Sequence, residues 1–218
     1  MSSVTSSSNL SGLAITAVRH MEHESAAIAR GLRRRDPDTL DRLIEEYQHR
    51  LLRYLVYLTA NRDVAEDLFQ ETWMRVLERG SQYNGRSRFD TWLFAIARHL
   101  VIDASRKKTT LSLEALTEPK NDDGGLRVPM EFAGHEISPF DSLERRETGA
   151  RIGRALTHLE MAQREVVMLR FQEDMSLDEI AEVTGAPLST VKSRLYRGLD
   201  ALKPVLLEER RQAAGVGA

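Results

Sequence analysis

Large apolar residues recur every three or four positions along most of this chain, a spacing that predicts amphipathic helices. The first clear case follows Asp36 and Pro37, an N-cap residue and a proline suited to the first helical position. One side of this helix carries Leu40, Leu43, Ile44, Tyr47, Leu51, Leu55 and Leu58. No segment shows the sustained alternation of a strand, so we predict an all-α protein.

Two further helices are predicted before residue 108. The second, from about residue 63 to residue 79, ends at Gly80, a residue common just beyond helix C-termini. Its predicted buried side comprises Val64, Leu68, Trp73, Val76 and Leu77. The third, at about 88–106, begins near Ser87 and Asp90, which have the spacing of a capping box. Its predicted buried residues are Phe89, Leu93, Ile96, Leu100 and Val101.

The C-terminal part carries the pattern of a helix-turn-helix. Ser176 and Glu179 form a capping box at the start of a short helix, and Gly185 lies in the turn after it. The next helix has the apolar residues Val191, Leu195, Leu199 and Leu202 on one side. A short helix, a glycine turn and a second helix are the elements of this motif.

The pattern breaks between these two parts and at both ends. Residues 109–138 contain prolines, glycines and the run Asn121-Asp122-Asp123-Gly124-Gly125, which predicts a flexible linker. We therefore expect two small helical domains, a three-helix bundle at 31–108 and a helix-turn-helix domain at 139–208. The Ser-rich extension at 1–30 is expected to be mostly disordered, and residues 209–218 to form a frayed tail.

Composition narrows the chemistry. The 218 residues include no cysteine, which excludes disulfides, thiolate metal sites and cysteine nucleophiles. His99 has no second histidine at metal-ligand spacing, and no carboxylate pair is accompanied by a nucleophile or a phosphate loop. We expect no catalytic residue, no metal and no cofactor.

Hydropathy bears on location. No apolar run approaches the roughly 20 residues of a spanning helix. The N-terminus also lacks the basic and apolar regions of a signal peptide. We expect a cytoplasmic protein with no membrane insertion.

The net charge of −2, from 31 basic and 33 acidic residues, does not by itself indicate a nucleic-acid partner. The local distribution of charge indicates such a partner, because the last predicted helix has a polar, basic face. This face comprises Thr190, Lys192, Ser193, Arg194 and Arg197. Arginine and lysine reach guanine edges and phosphates, and hydroxyl groups bond to phosphates. On an arbitrary helix such a face is more often simply solvated, but in a helix-turn-helix it suits DNA recognition.

A second candidate surface mixes aromatic and basic residues around the third predicted helix. It comprises Tyr83, Arg86, Arg88, Phe89, Trp92, Phe94, Arg98, His99 and Arg106, a combination that suits single-stranded nucleic acid. Core packing is the stronger interpretation for Phe89 and one side of Trp92. Arg88, Phe94, Arg98 and His99 are expected to be harder to bury.

An acidic strip lies on the second predicted helix, where Asp67, Gln70 and Glu71 share one side with Glu66 and Glu78 nearby. A solvated face and a docking surface for a basic partner helix are both open interpretations.

Two long segments resemble a known family. The segment DVAEDLFQETWMRVLERGSQYNGRSRFDTWLFAIARHLVIDASRKK is similar to region 2 of bacterial sigma factors. The segment LEMAQREVVMLRFQEDMSLDEIAEVTGAPLSTVKSRLYRGLDALK is similar to region 4. With no recognisable region 3 domain between them, the chain resembles extracytoplasmic-function, or group four, sigma factors of the sigma-70 superfamily.

The resemblance implies a role for each surface. Asp67, Gln70 and Glu71 would dock on core RNA polymerase. The −10 element of promoter DNA would be read as a single strand by Asn84, Arg86, Arg88, Trp92, Arg98 and His99. The face at 190–197 would read the −35 element as duplex. An anti-sigma factor is an expected further partner.

One position departs from the family pattern, because many members have asparagine where this chain has His99. Imidazole and amide differ in donors and acceptors, so we expect an atypical −10 specificity. Two other classes remain as alternatives. A conventional helix-turn-helix regulator would bind duplex DNA without polymerase, and an enzyme would need a catalytic constellation that is not visible.

Overall fold

The computed structural model describes residue 21, residues 23–114 and residues 152–215, with side chains up to residue 107 in the first part and residue 208 in the second. Helices are the regular structure throughout these ranges, with no strand, which confirms the all-α prediction. No described helix combines the length and apolar character needed to cross a bilayer.

The N-terminal half is a bundle whose helices start where their caps predict. Helix α1 covers residues 23–34, α2 is Pro37–Thr59, α3 is Arg62–Arg79 and α4 is Phe89–Glu114. Asp36 caps α2, accepting a bond from the Thr39 amide at 3.2 Å, and Asn61 caps α3 in the same way. A short 3-10 turn at Gly80–Gln82 follows α3.

Helix α1 begins inside the extension that we predicted to be mostly disordered. Its residues Ile28, Ala29 and Leu32 are buried in the bundle. Gly80 is explained by this packing, since a Cβ there would lie 3.2 Å from Cβ of Leu32. Helix α3 ends at Arg79 with Gly80 as its C-cap, as predicted, and the Gly80 backbone is right-handed with φ −56.

The buried side of α3 also differs from the prediction. Val64 and Leu77, predicted to be buried, are 39% and 45% exposed. The buried side chains are Ala65, Thr72, Trp73 and Val76. The apolar residues therefore lie on two sides of α3, and packing against α2 and α4 uses only one of them.

The C-terminal half contains α5 at residues 152–157, α6 at Met161–Phe171, α7 at Leu177–Thr184 and α8 at Leu188–Gly215. The predicted capping box is present, with the Ser176 hydroxyl accepting from the Glu179 amide and the Glu179 carboxylate accepting from the Ser176 amide. Gly185 is left-handed with φ +62. Together α7, this turn and α8 confirm the helix-turn-helix.

The two halves pack against each other, with α2 and α4 contacting α6 and α7. Phe94, predicted to be hard to bury, is instead fully buried, with its ring centroid 4.9 Å from that of Tyr54. The Tyr54 hydroxyl in turn donates to Oε1 of Glu165 at 2.9 Å. Phe94 is therefore part of the core where the halves meet rather than of an open surface.

Two predicted boundaries fall within helices. Helix α4 continues to Glu114, past the predicted linker start at 109, and the backbone of α8 continues to Gly215 in the predicted tail. The predicted start of the C-terminal domain at residue 139, most of the linker and most of the extension lie outside the described residues.

Candidate nucleic-acid and polymerase interfaces

Helix α8 presents the face predicted to read duplex DNA. Val191, Leu195 and Leu202 are buried and fix the orientation of the helix, largely against α6. Gly198 permits this close approach, since a Cβ there would lie 2.9 Å from Cγ2 of Val167. On the other side Lys192, Ser193 and Arg197 are exposed, while Thr190 and Arg194 are half-buried. The five residues thus lie on one helix whose outer side is open to solvent.

The turn before α4 is held in a defined shape. The Asn84 carboxamide oxygen accepts from the Arg86 amide at 2.9 Å, and the Tyr83 hydroxyl donates to the Ser87 carbonyl at 2.7 Å. Gly85 has φ +73, and a Cβ there would lie 3.0 Å from the Ser25 carbonyl oxygen of α1. Helix α1 therefore supports this turn, leaving the side chains of Asn84 and Arg86 exposed.

A cavity of about 310 Å³ lies beside this turn. Trp92 forms part of its wall, with its ring packed 5.2 Å from Tyr83 and 5.9 Å from Phe89, so one side of the indole faces the core as predicted. The lining residues are Gln82, Tyr83, Asn84, Arg86, Ser87, Trp92 and Glu182. An aromatic wall with amide and guanidinium groups nearby can stack and hydrogen bond a planar ring.

Two predicted DNA contacts are paired with carboxylates of the C-terminal half. Arg88 bonds to Asp90 at 2.5 Å and its Nε lies 3.7 Å from Oε1 of Glu179. Arg98 places Nε 2.9 Å from Oε1 of Glu165. The position of Asp90 also corrects the predicted capping box with Ser87, because the Asp90 carboxylate binds Arg88 and lies near Arg50 instead.

His99 is exposed, and its tautomer follows from geometry. Its Nδ1 lies 2.6 Å from the Ala95 carbonyl oxygen, which can only accept a hydrogen bond. Nδ1 therefore carries the proton, and Nε2 of the neutral ring is left as an acceptor. An asparagine at this position would offer both a donor and an acceptor.

The acidic strip on α3 is open to solvent. Asp67 and Gln70 are exposed, and Glu71 is half-buried and bonds to Arg75 at 2.9 Å. The exposed apolar side chains of Val64, Met74 and Leu77 lie on the same helix. Sequence reasoning missed Met74 and assigned the other two to the core, although Met74 lies three residues after Glu71 and so shares its side.

Sequence reasoning also missed Arg50, Arg53 and Glu173. Nε of Arg50 donates to Oε2 of Glu173 at 2.6 Å across a separation of 123 residues. No spacing within one helix could reveal such a pair. Among the described residues no group of three His, Asp or Glu side chains could hold a metal ion.

Comparison with known proteins identifies both halves. The family model for Sigma-70 region 2 matches residues 43–110, and that for Sigma-70, region 4 matches residues 149–202. The ECF RNA polymerase sigma factor SigX of Bacillus subtilis is 32% identical over 166 residues, covering 76% of this chain and 82% of SigX. SigW of the same organism, another ECF RNA polymerase sigma factor, is 30% identical over 175 residues, covering 78% of this chain and 90% of SigW.

Solved structures share the fold. The sigma factor RpoE from Bartonella quintana, in complex with the anti-sigma factor NepR, has a TM-score of 0.57 at 22% identity over 76% of this chain and 95% of RpoE. CnrH, in complex with the cytosolic domain of CnrY, has the same TM-score at 18% identity over 84% of this chain and 96% of CnrH. Taken with the relatives and the two matched regions, this chain belongs to the extracytoplasmic-function sigma factors of the sigma-70 family.

Proposed function

We propose that this chain binds core RNA polymerase, directs it to promoters through their −35 and −10 elements and assists strand separation at the start of transcription. The observation that carries this proposal is the presence of both sigma regions in one chain, with 32% identity to SigX across 76% of its length. The conventional helix-turn-helix regulator is not favoured, because the region 2 match accounts for the N-terminal half as well.

At the −35 element α8 enters the major groove, which has the width to admit a helix. Exposed Lys192 and Arg197 reach phosphates or guanine edges, and Ser193 bonds to phosphate. Thr190 and Arg194, which are half-buried, lie at the margins of this contact. The exposed side of the helix and its buried anchors support this assignment.

At the −10 element the DNA is read as a single strand, because base edges become fully accessible only after separation. A base turned out of the stack enters the cavity beside Trp92, where Asn84 and Arg86 can bond to its edge. His99 presents an acceptor nearby on α4, and Arg88 and Arg98 bind the backbone phosphates. The cavity, with its aromatic wall, supports this part of the proposal.

Polymerase binding is assigned to α3. Asp67, Gln70 and Glu71 supply charge complementarity for a basic partner helix, and Met74 and Leu77 add exposed apolar area. Once the chain is held on polymerase, its two DNA contacts act together, so each can be weak and still select a promoter. Binding to polymerase must therefore come before tight binding to a promoter.

Catalysis of nucleotidyl transfer is assigned to the polymerase, with no catalytic residue, metal or cofactor in this chain. Since RpoE and CnrH were solved with NepR and the CnrY domain, we also propose that an anti-sigma factor binds this chain. A cytoplasmic location follows from the proposed partners, bacterial polymerase and promoter DNA.

The proposal is tested by transcription with purified core polymerase and this chain on a library of genomic fragments, followed by mapping of transcript 5′ ends. We expect start sites that share −35 and −10 motifs and that require the chain. Arg197→Ala should lose starts that depend on the −35 motif while keeping polymerase binding. The proposal fails if added chain yields no start sites beyond those of core alone.

A further inference from the structure

Four arginines of the N-terminal half converge on three glutamates of the C-terminal half. Glu173 contacts Arg50 at 2.6 Å and Arg53 at 3.3 Å, both on α2. In the other two pairs, Arg98 on α4 lies 2.9 Å from Glu165, and Arg88, directly before α4, lies 3.7 Å from Glu179. These four arginines, which we call the arginine face, span two helices of the region 2 bundle.

Two of the three acids are buried deeper than the bases. Glu165 and Glu173 have side chains 1% exposed, whereas those of the four arginines are 17% to 34% exposed. A buried carboxylate needs a cationic partner, and here the arginine face supplies it. Burial by itself lowers the pKa of the Arg50 guanidinium, but the charge and hydrogen bond of Glu173 and the charge of Asp90 together raise it.

Two of the four arginines also have an acidic partner within their own half. Asp90, from the same half, bonds to Arg88 at 2.5 Å and lies 3.5 Å from Arg50, so these two guanidinium groups keep a partner when the glutamates leave. A planar guanidinium binds carboxylate and phosphate with the same fork of donors. Arg88 and Arg98 already belong to the proposed −10 surface.

We propose that Arg50 and Arg53 extend Arg88 and Arg98 into one phosphate-binding face for single-stranded DNA, and that Glu165, Glu173 and Glu179 occupy this face in the present arrangement. The DNA backbone and the C-terminal half then compete for the same guanidinium groups. This inference rests on the proposed function, since it concerns the regulation of the −10 surface.

The pairing between the arginine face and the glutamates leaves some buried polar atoms without partners. This favours replacement of the glutamates by DNA phosphates. Oε2 of Glu165 and Nε of Arg53 are buried and have no hydrogen-bond partner within the described part of the chain. A buried polar network that is only partly satisfied is weakly stabilising at best. Glu182 adds a further acid of the C-terminal half, because it lines the cavity beside Asn84 and Arg86. The C-terminal half therefore covers both the proposed phosphate-binding arginines and part of the cavity.

The first experiment measures binding of the full chain to a dye-labelled single-stranded oligonucleotide of mixed sequence by fluorescence anisotropy. Glu165→Gln with Glu173→Gln removes two competing charges with little change of shape. We expect this double variant to bind about tenfold more tightly than the unaltered chain. Adding Arg50→Ala and Arg53→Ala to the double variant should make binding weak again. It should also reduce the slope of the logarithm of the binding constant against the logarithm of the salt concentration by about 1.4, the value for two phosphate contacts on a single strand.

The matched control is Glu45→Gln with Glu160→Gln, which removes the same charge from exposed positions, one in each half. It should bind like the unaltered chain. The inference is overturned if the control gains as much affinity as the Glu165 and Glu173 variant. It is equally overturned if loss of Arg50 and Arg53 leaves binding unchanged.

A second experiment keeps all seven charged side chains of the pairing and so does not depend on how the glutamine variants fold. The chain has no cysteine, so dyes can be attached at Asp41→Cys and Asp200→Cys, exposed positions on α2 and α8. Saturation with the same oligonucleotide should lower energy transfer between the dyes as the halves separate. Binding without any change in transfer would overturn the inference.

Failure of this inference is distinguishable from failure of the proposed function. Promoter-dependent transcription by core polymerase with the unaltered chain tests the function alone. If that transcription occurs while the oligonucleotide leaves energy transfer unchanged, the competition is wrong and the sigma-factor role stands.

Discussion

Glu165 is a fully buried carboxylate that joins the two halves through Tyr54 and Arg98. Burial raises the pKa of the Tyr54 hydroxyl well above its ordinary value, and the charge of Glu165 and the hydrogen bond to it raise that pKa further. The hydroxyl therefore stays protonated through the neutral range and remains a donor. Glu165 therefore contributes both to the stability of the fold and to the contact between the two halves.

We expect the free energy of unfolding to fall as the pH rises above about 10, the ordinary pKa of tyrosine. Above that pH the unfolded chain releases the Tyr54 proton while the folded chain retains it, so alkaline pH favours unfolding. Burial likewise raises the pKa of Tyr47, Tyr57 and Tyr83, which share the effect.

Tyr54→Phe should reduce this slope by about 1.4 kcal/mol per pH unit, the contribution of one proton. The measurement is urea unfolding across the alkaline range, with Tyr196→Phe as the control for loss of one hydroxyl at an exposed position. A slope identical in the Tyr54→Phe chain and the unaltered chain would contradict the assignment.

His99 is expected to influence which base is preferred at one position of the −10 element. His99→Asn replaces an Nε2 acceptor with an amide that can also donate, and a changed base contact alters discrimination by about 1–3 kcal/mol. Transcription from a promoter library randomised across the −10 element measures the preference. His49→Asn, at an exposed position on α2, is the control. An unchanged ranking for His99→Asn would exclude a base-reading role.

At the scale of single elements, a left-handed glycine precedes each of the two segments proposed to read DNA. Gly185 lies between α7 and α8 with open space around it, whereas Gly85 lies in the turn before α4 against the backbone of α1. The same backbone conformation is therefore used in two different surroundings.

Gly185→Ala should lower the free energy of unfolding by about 1–2 kcal/mol through the left-handed conformation alone. Gly85→Ala should cost more, because the added Cβ would also meet the Ser25 carbonyl oxygen at 3.0 Å. Urea unfolding of the two variants gives the comparison directly. Equal losses would show that α1 does not support the turn.

The exposed side of α3 is expected to bind polymerase. Asp67→Asn with Glu71→Gln should weaken binding to core roughly tenfold at low salt and less at high salt, since exposed charges are screened. Asp38→Asn with Glu45→Gln, on exposed positions of α2, is the matched control and should bind normally. If both pairs bind core equally well, the docking surface lies elsewhere.

Local sequence signals predicted the elements that local physics determines. Asp36, Ser176 and Gly185 act within one turn of their own helix, so their caps could be read directly. The buried side of α3 was misread, and the contact of Gly80 with Leu32 was not foreseen, because both depend on neighbouring helices. A close approach by Leu32 requires the glycine, and packing decides which apolar side of α3 is covered.

The site was predictable to a similar extent. The exposed residues of α8 and of the turn before α4 lie where their pattern predicted. The ion pairs of Arg88 and Arg98 with carboxylates were not predicted. Their partners Glu179 and Glu165 are in the other half of the chain, beyond any helical spacing. The sequence within a few residues of an arginine does not show whether that arginine is exposed or pairs with an acidic residue far away in the chain.

At the scale of the whole molecule, the net charge is only −2, and opposite charges meet across the two halves. Arg50 on α2 pairs with Glu173, just after α6, and Arg98 on α4 pairs with Glu165 on α6, while the basic side of α8 remains open. Arg164 adds a further link, donating to the Tyr57 carbonyl at 2.7 Å. In this arrangement the surface proposed to read the −35 element is open, and part of the surface proposed to read the −10 element is covered.

The central claim is that this chain gives core polymerase the ability to open promoter DNA. It is tested most directly by permanganate reactivity of thymines in a promoter fragment identified by transcript mapping. We predict reactive, unpaired thymines across the −10 element only when core polymerase and the chain are both present. Thymines that stay unreactive with both present, or that react equally with core alone, would contradict the claim.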